Sequence, residues 1–178
     1  MGKEHDLIQP GVTRRRGVWA AVTAGTVAYT VALLGLIGPA AELYVVERDA
    51  GALNAQRRAL AAKYPNSAIH YLEADFTQPA ALALPPLDGL LLANVLHSVP
   101  FDRQESVLAG LAERLASGSR LILIEYERQQ GMPWSRYPVT YEAFENLAAA
   151  AGMRDVRRLA ALPASFFRDV YSAAAERP

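Results

Sequence analysis

Apolar runs short enough for strands alternate along this chain with longer segments of helical length. Val18-Trp19-Ala20-Ala21-Val22 is rich in strand-favouring residues and reads as a buried parallel strand. Thr23-Ala24-Gly25-Thr26 reads as a turn ending in a helix N-cap, and Val27 to Ile37 as the helix, stopped by Gly38-Pro39. The alternation continues with a strand from Leu43 to Val46, closed by Glu47-Arg48-Asp49, and an alanine- and arginine-rich helix from Ala50 to Tyr64. A third strand, Ala68 to Leu72, is followed by Glu73-Ala74-Asp75-Phe76, and three prolines make Gln78 to Pro86 a loop. Leu87 to Ala93 is apolar enough to be covered on both faces. Asp102 to Ala116 reads as a helix with Asp102 as its N-cap and Gly118 beyond its end. Arg120 to Tyr126 is a fifth strand, and Gln129 to Pro138 a loop. Thr140 to Ala151 reads as a helix ended by Gly152, and two last strands fall at about Arg154 to Leu159 and Phe167 to Ala175. This spacing predicts the α/β class with a doubly wound sheet. Residues 1–16 are polar and read as an N-terminal arm or cap, and residues 17–178 as one domain.

One segment has a rival reading. Gly17 to Ala41 holds 25 residues without a charge directly after Arg14-Arg15-Arg16, the pattern of a signal anchor or spanning helix at 17–41. Gly17, Gly25, Gly35 and Gly38 dilute its apolar character, so strand, turn and helix is the preferred expectation and a membrane anchor the alternative. Composition agrees: 178 residues, 52% hydrophobic and 20% charged, bury a core without a disulfide or structural metal. The 18 basic and 18 acidic residues cancel, which speaks against a field that gathers nucleic acid or anionic membrane. Neither partner is expected, and a cytoplasmic location is. The absence of cysteine removes disulfides, thiolate zinc sites, iron–sulfur clusters and cysteine nucleophiles. His5, His70 and His97 lack metal-ligand spacing, so no metal is expected, and nothing in the pattern specifies an oligomeric state.

Ligands of open parallel sheets bind beyond the carboxyl ends of the strands, which makes the residues after each strand the candidates. Glu47 is suited to accept two hydrogen bonds from vicinal ribose hydroxyls; the bland alternative is a solvated charge. Asp75 beside Phe76 suits an adenine amine and ring face, or is a turn aspartate next to a core phenylalanine. Asn94 presents an amide. His97, three residues on, suits a base or a substrate-orienting group, or packs locally. Tyr126, Trp134 and Tyr137 line a substrate pocket or cover the end of the sheet.

From Trp19 to Tyr171 the chain resembles the class I S-adenosylmethionine-dependent methyltransferases. Four segments carry the resemblance in the family's order and spacing: Trp19 to Thr26, Val45 to Asp49, Glu73 to Phe76, and Leu92 to His97. Asp169-Val170-Tyr171-Ser172-Ala173 resembles the family's antiparallel strand inserted beside the fifth. The resemblance implies a Rossmann-like seven-stranded sheet, mostly parallel with one antiparallel strand near the C-terminus, so that 17–178 is a methyltransferase-like domain. It implies S-adenosylmethionine as cofactor and a small-molecule acceptor. Glu47 would hold the ribose, Asp75 and Phe76 the adenine, and Asn94 would lie near the methionine moiety or the acceptor. The first motif would contribute Ala21, Thr23 and Gly25.

That first motif departs from the family. An acidic residue followed by three alternating glycines corresponds here to Ala21, Thr23, Gly25 and Val27, so only Gly25 is kept. Side chains oppose the backbone angles and the close approach that glycines allow. The departures predict weakened cofactor binding, with Val27 projecting toward the cofactor or wedging the helix from the strand. Two readings stay open: a working methyltransferase with His97 as base, or a noncatalytic protein of the same fold that has lost its cofactor.

Overall fold

A computed structural model describes residues 2–164 and 168–178. Its strands are β1 (Gly17–Thr23), β2 (Ala41–Glu47), β3 (Ala68–Glu73), β4 (Leu87–Ala93), β5 (Leu115–Tyr126), β6 (Arg154–Ala164) and β7 (Arg168–Glu176). Its helices are α1 (Lys3–Ile8), α2 (Val27–Ile37), α3 (Ala50–Lys63), α4 (Phe101–Ala112) and α5 (Tyr141–Ala150). The strands form one sheet in the order β3-β2-β1-β4-β5-β7-β6. Neighbours from β3 to β5 pair in parallel, whereas β7 runs antiparallel to both β5 and β6. This is the expected mostly parallel sheet with one reversed strand. From β1 the chain winds outward through β2 to β3, then returns to β4 on the other side of β1. The carboxyl ends of β1 and β4 therefore flank the switch point.

Alternation along each strand sends side chains to two cores. Trp19 and Ala21 of β1, Leu43 and Val45 of β2, and Leu91 of β4 pack with Leu33 and Ile37 of α2. Ala20, Val22, Leu90 and Leu92 take the other face with Leu108 and Leu111 of α4 and Phe144 of α5. Burial on both faces is why these strands read as unbroken apolar runs.

Several boundaries differ from expectation. Pro100, not Asp102, is the N-cap of α4, and the helix stops at Ala112. β5 begins at Leu115 and contains Gly118, which adopts φ 72. β6 runs on to Ala164, and Phe167, the expected start of the last strand, lies outside the described residues. Within residues 1–16, α1 and a 3-10 turn (Gln9–Gly11) precede β1, and Leu7 and Ile8 are buried beside α2. Residues 17–41 form β1, a turn and α2, and no helix among the described residues is long and apolar enough to cross a membrane. Arg14 sits before β1 and pairs with Asp88 at 2.9 Å, and Asp88 also accepts the Val18 N–H.

Trp19 lies across Gly89, its register partner on β4: a Cβ there would come within 2.3 Å of the indole. We expect Gly89→Ala to destabilise the fold by roughly 1–3 kcal/mol, because the buried ring has nowhere to go. Urea unfolding should show a lowered midpoint at an unchanged slope, and an unchanged midpoint would refute the contact.

Candidate functional site

The ends of β1 to β4 enclose a cleft of 390 Å³. Its walls are Val22 to Gly25 at the end of β1, Val46 to Asp49 at the end of β2, Ala74 and Phe76 after β3, and Asn94, Val95, His97 and Ser98 after β4, together with Trp134. Of the sequence candidates, Thr23, Gly25, Glu47, Phe76, Asn94, His97 and Trp134 line it, whereas Ala21, Asp75, Tyr126 and Tyr137 do not.

The turn after β1 is shaped by Gly25, whose φ of +70° suits glycine although nothing crowds its α-carbon. Its N–H donates to the Thr23 carbonyl, and the Thr26 hydroxyl accepts the Ala28 N–H to cap α2. Two expectations about this segment are corrected. Ala21 is buried inside β1, because the strand runs on to Thr23. Val27 does not line the cleft, so of its two expected places the one toward the cofactor is not taken: as the first residue of α2 it packs into the apolar layer between that helix and the sheet. Thr23 is thus the one departure from the glycine pattern that meets the cleft. Its side-chain oxygen is buried and has no protein partner.

Glu47 is half-buried and lines the cleft, one carboxylate oxygen accepting the Asp49 N–H at 3.0 Å. Asp49 in turn caps α3 through the Ala52 N–H. The Glu47 carbonyl accepts the Ala74 N–H, which ties the ends of β2 and β3. Beyond that tie, Asp75 accepts the Thr77 N–H at 2.9 Å and so shapes its own turn, while its neighbours Ala74 and Phe76 form the wall.

Asn94 adopts φ 55, a left-handed conformation that asparagine tolerates better than most residues. Its N–H donates to Ile124 and continues the β4–β5 ladder. Its side-chain amide donates to the Tyr29 hydroxyl at 3.3 Å, leaving Oδ1 buried without a protein partner. Burial pushes the Tyr29 hydroxyl up to about 12, and the Asn94 bond opposes that shift. Thr23 pairs in register with Ala93, so the two unpartnered oxygens stand on neighbouring strand ends. A buried polar atom left this way is destabilising unless something else bonds it.

His97 is anchored from below by Glu125, which has no exposed surface. The His97 backbone N–H donates to Oε1 at 3.2 Å, and ring Nδ1 lies 2.7 Å from Oε2. A carboxylate only accepts, so Nδ1 carries a hydrogen, and in the neutral ring the lone pair is then on Nε2. The Tyr126 ring tilts against the imidazole at 5.7 Å between centroids. Tyr137 donates its N–H to the His97 carbonyl, and its ring meets Phe101 edge-on. Two partners escaped the sequence reading. Glu125 had a visible cue, a charge interrupting an apolar strand that is covered on both faces. Tyr29 had none. Among the described residues no cluster of three His, Asp or Glu could hold a metal ion.

No protein-family model and no curated protein matches this sequence. Solved structures do. The S-adenosylmethionine-dependent methyltransferase SibL, in its apo form, has a TM-score of 0.72 at 21% identity, over 99% of this chain and 55% of its own. Magnesium protoporphyrin IX methyltransferase (ChlM) from Synechocystis, with bound SAM, has a TM-score of 0.69 at 16% identity, over 92% of this chain and 72% of its own. A putative O-methyltransferase from Nostoc punctiforme has a TM-score of 0.74 at 16% identity, over 97% and 55%. The chain therefore spans about half the length of two of these three, and at such identities the likeness is one of fold: the Rossmann-like fold of these methyltransferases.

Burial also raises Tyr171, whose hydroxyl donates to Val139 at 2.8 Å. Both Tyr29 and Tyr171 hold their protons in the fold where an unfolded tyrosine releases its own near pH 10. Above that pH the unfolded chain binds fewer protons, so stability falls as pH rises from 10 toward 12. Denaturant titrations across that window should show the decline, shallower in Tyr29→Phe; a flat profile would count against the burial of both hydroxyls.

Proposed function

We propose that this chain is a S-adenosylmethionine-dependent methyltransferase acting on a small molecule. One observation carries the reading: the Glu47 carboxylate and a histidine held by a buried glutamate open onto the same cleft. One suits the ribose of a nucleoside, the other a proton released by an acceptor. ChlM was solved with SAM and PigF with SAH, on the same fold at 16% and 15% identity, which supports the cofactor class.

The residues present fit that cofactor. Glu47 would accept from the ribose hydroxyls, and Phe76 would pack on the adenine. Asp75 would act by setting Phe76 on the wall through its turn. The unpartnered oxygens of Thr23 and Asn94 would accept from the charged amino group of the amino-acid end, taking over a task that Ala21 cannot perform. When bound, the cofactor supplies a sulfonium methyl group that passes to a nucleophile, the electron pair of the broken C–S bond remaining on sulfur. His97 takes the proton of that nucleophile on Nε2. Glu125 keeps the ring in the tautomer that leaves Nε2 free, and its charge opposes the positive charge the ring acquires.

The competing reading, a noncatalytic protein of this fold, draws on Thr23, which stands where the family places a glycine. Calorimetry with S-adenosylhomocysteine separates the two. The methyltransferase reading expects micromolar binding, about tenfold weaker in Glu47→Ala and weaker again in Thr23→Gly, since a hydrogen bond to a charged group contributes roughly 1.5–3 kcal/mol. His97→Gln should bind as the parent does and turn nothing over. If the parent binds nothing at millimolar concentration and Thr23→Gly gains affinity, the noncatalytic reading holds.

A further inference from the structure

The side chain of Asn94 has two unlike ends, and the protein engages only one of them. Its backbone is fixed by the N–H bond to Ile124 and by a φ of 55. The amide nitrogen donates to the Tyr29 hydroxyl at 3.3 Å, while Oδ1 is buried without a protein partner. The Thr23 hydroxyl oxygen, on the neighbouring strand end, is in the same condition. Asn94 and Thr23 line the cleft, whereas Tyr29 does not. Tyr29 is the third residue of α2. Helical side chains lean toward the helix N-terminus, so a long one in the first turn reaches back to the strand ends. Its ring packs against the core layer that contains Leu33 and Ile37, which fixes where the hydroxyl lies.

From this arrangement we infer that Tyr29 is a positioning residue: by bonding the amide nitrogen of Asn94 it leaves the Asn94 oxygen, beside that of Thr23, to accept from the charged amino group of the cofactor's amino-acid end. This deepens the methyltransferase reading and rests on it. An ammonium group only donates, and an asparagine turned end for end would oppose it with two further donors. Turning the oxygen to the ligand has a consequence on the other side. It directs the nitrogen into the protein, where an N–H left unpaired is destabilising. The Tyr29 hydroxyl removes that cost, and among the described residues no other group bonds the Asn94 side chain. The local field agrees. Beyond burial, the charges of Glu4 and Glu125 help to hold the Tyr29 proton, so the surroundings of Asn94 favour a cation although Ala21 brings no carboxylate. Tyr29 thus acts on the ligand through Asn94 alone, without touching it.

Calorimetry with two ligands tests this. S-adenosylhomocysteine carries the amino-acid end, whereas 5′-methylthioadenosine keeps the nucleoside and the sulfur and lacks that end. Tyr29→Phe removes one oxygen and leaves the ring in its core. It should raise the Kd for S-adenosylhomocysteine about fivefold, part of the roughly tenfold or more that a hydrogen bond to a charged group contributes. The Kd for 5′-methylthioadenosine should stay within about twofold, since the nucleoside does not meet Asn94. Asn94→Ala should weaken S-adenosylhomocysteine about tenfold, and in that background Tyr29→Phe should add nothing. The Asn94 side-chain amide pair in a nitrogen–proton correlation spectrum, identified by its disappearance in Asn94→Ala, should shift with S-adenosylhomocysteine and not with 5′-methylthioadenosine. A tyrosine that merely supports the fold would weaken both ligands alike, and its loss would add to that of Asn94. Either result, or an unmoved Asn94 pair in protein that binds S-adenosylhomocysteine, overturns the proposal and leaves the cofactor reading standing. A parent protein that does not bind S-adenosylhomocysteine sinks that reading and this inference with it.

Discussion

A carboxylate withdrawn completely from water is stable only where donors replace the hydration it has lost. Glu125 meets that condition through His97, which gives it a backbone N–H and a ring N–H. The geometry of the site follows. Glu125 is near the end of β5 and His97 is in the turn after β4, so satisfying the charge draws that turn over the edge of the sheet. The Asn94 N–H, bonded to Ile124, fixes the same turn from its other side. Removing one partner from a buried charged pair typically destabilises by about 3–5 kcal/mol, a large part of the 5–15 kcal/mol that holds a domain together. The position of His97 is thus secured by the same interaction that makes burial of the acid possible.

The opposite wall is held by weaker means. Glu47, Asp49 and Asp75 each accept a backbone N–H two or three residues onward, so each carboxylate shapes its own strand end before it meets any ligand. The turn after β1 relies on the conformational freedom of Gly25 and on the Thr26 cap. That explains how it keeps its path with a single glycine between Thr23 and Val27. Close approach of backbone to ligand is a separate matter, and it falls on Thr23 alone, because Val27 belongs to the core under α2.

Likeness of fold and likeness of chemistry carry different weight here. SibL, ChlM and the Nostoc protein share the sheet, at identities of 21% and 16% that leave most side chains different. A shared fold says little about the chemistry of any one chain. The buried Glu125–His97 pair is a property of this chain's own residues, and it distinguishes the cleft where the sheet does not.

Local patterning was enough to make the sheet legible. Apolar runs set off by glycines, prolines and acidic strand ends marked β1 to β5, and their spacing implied parallel winding, since backbone propensity and two-sided burial are both written into neighbouring residues. Thr140 as the cap of α5 and Gly25 at the first turn were readable for the same reason. Other features depend on contacts between distant positions. No nearest-neighbour pattern distinguishes a Glu125 buried under His97 from one left in water, although the two are 28 residues apart in every conformation of the chain. The direction of Val27 depended on how α2 settles against the sheet, and the occupation of the Asp75 carboxylate on how its turn closes. Tyr137 comes to lie over the start of α4 only because Gln104 and the His97 carbonyl bind its backbone. Periodicity reports which face of an element is apolar; long-range hydrogen bonding, made only once those faces have packed, selects which polar groups meet.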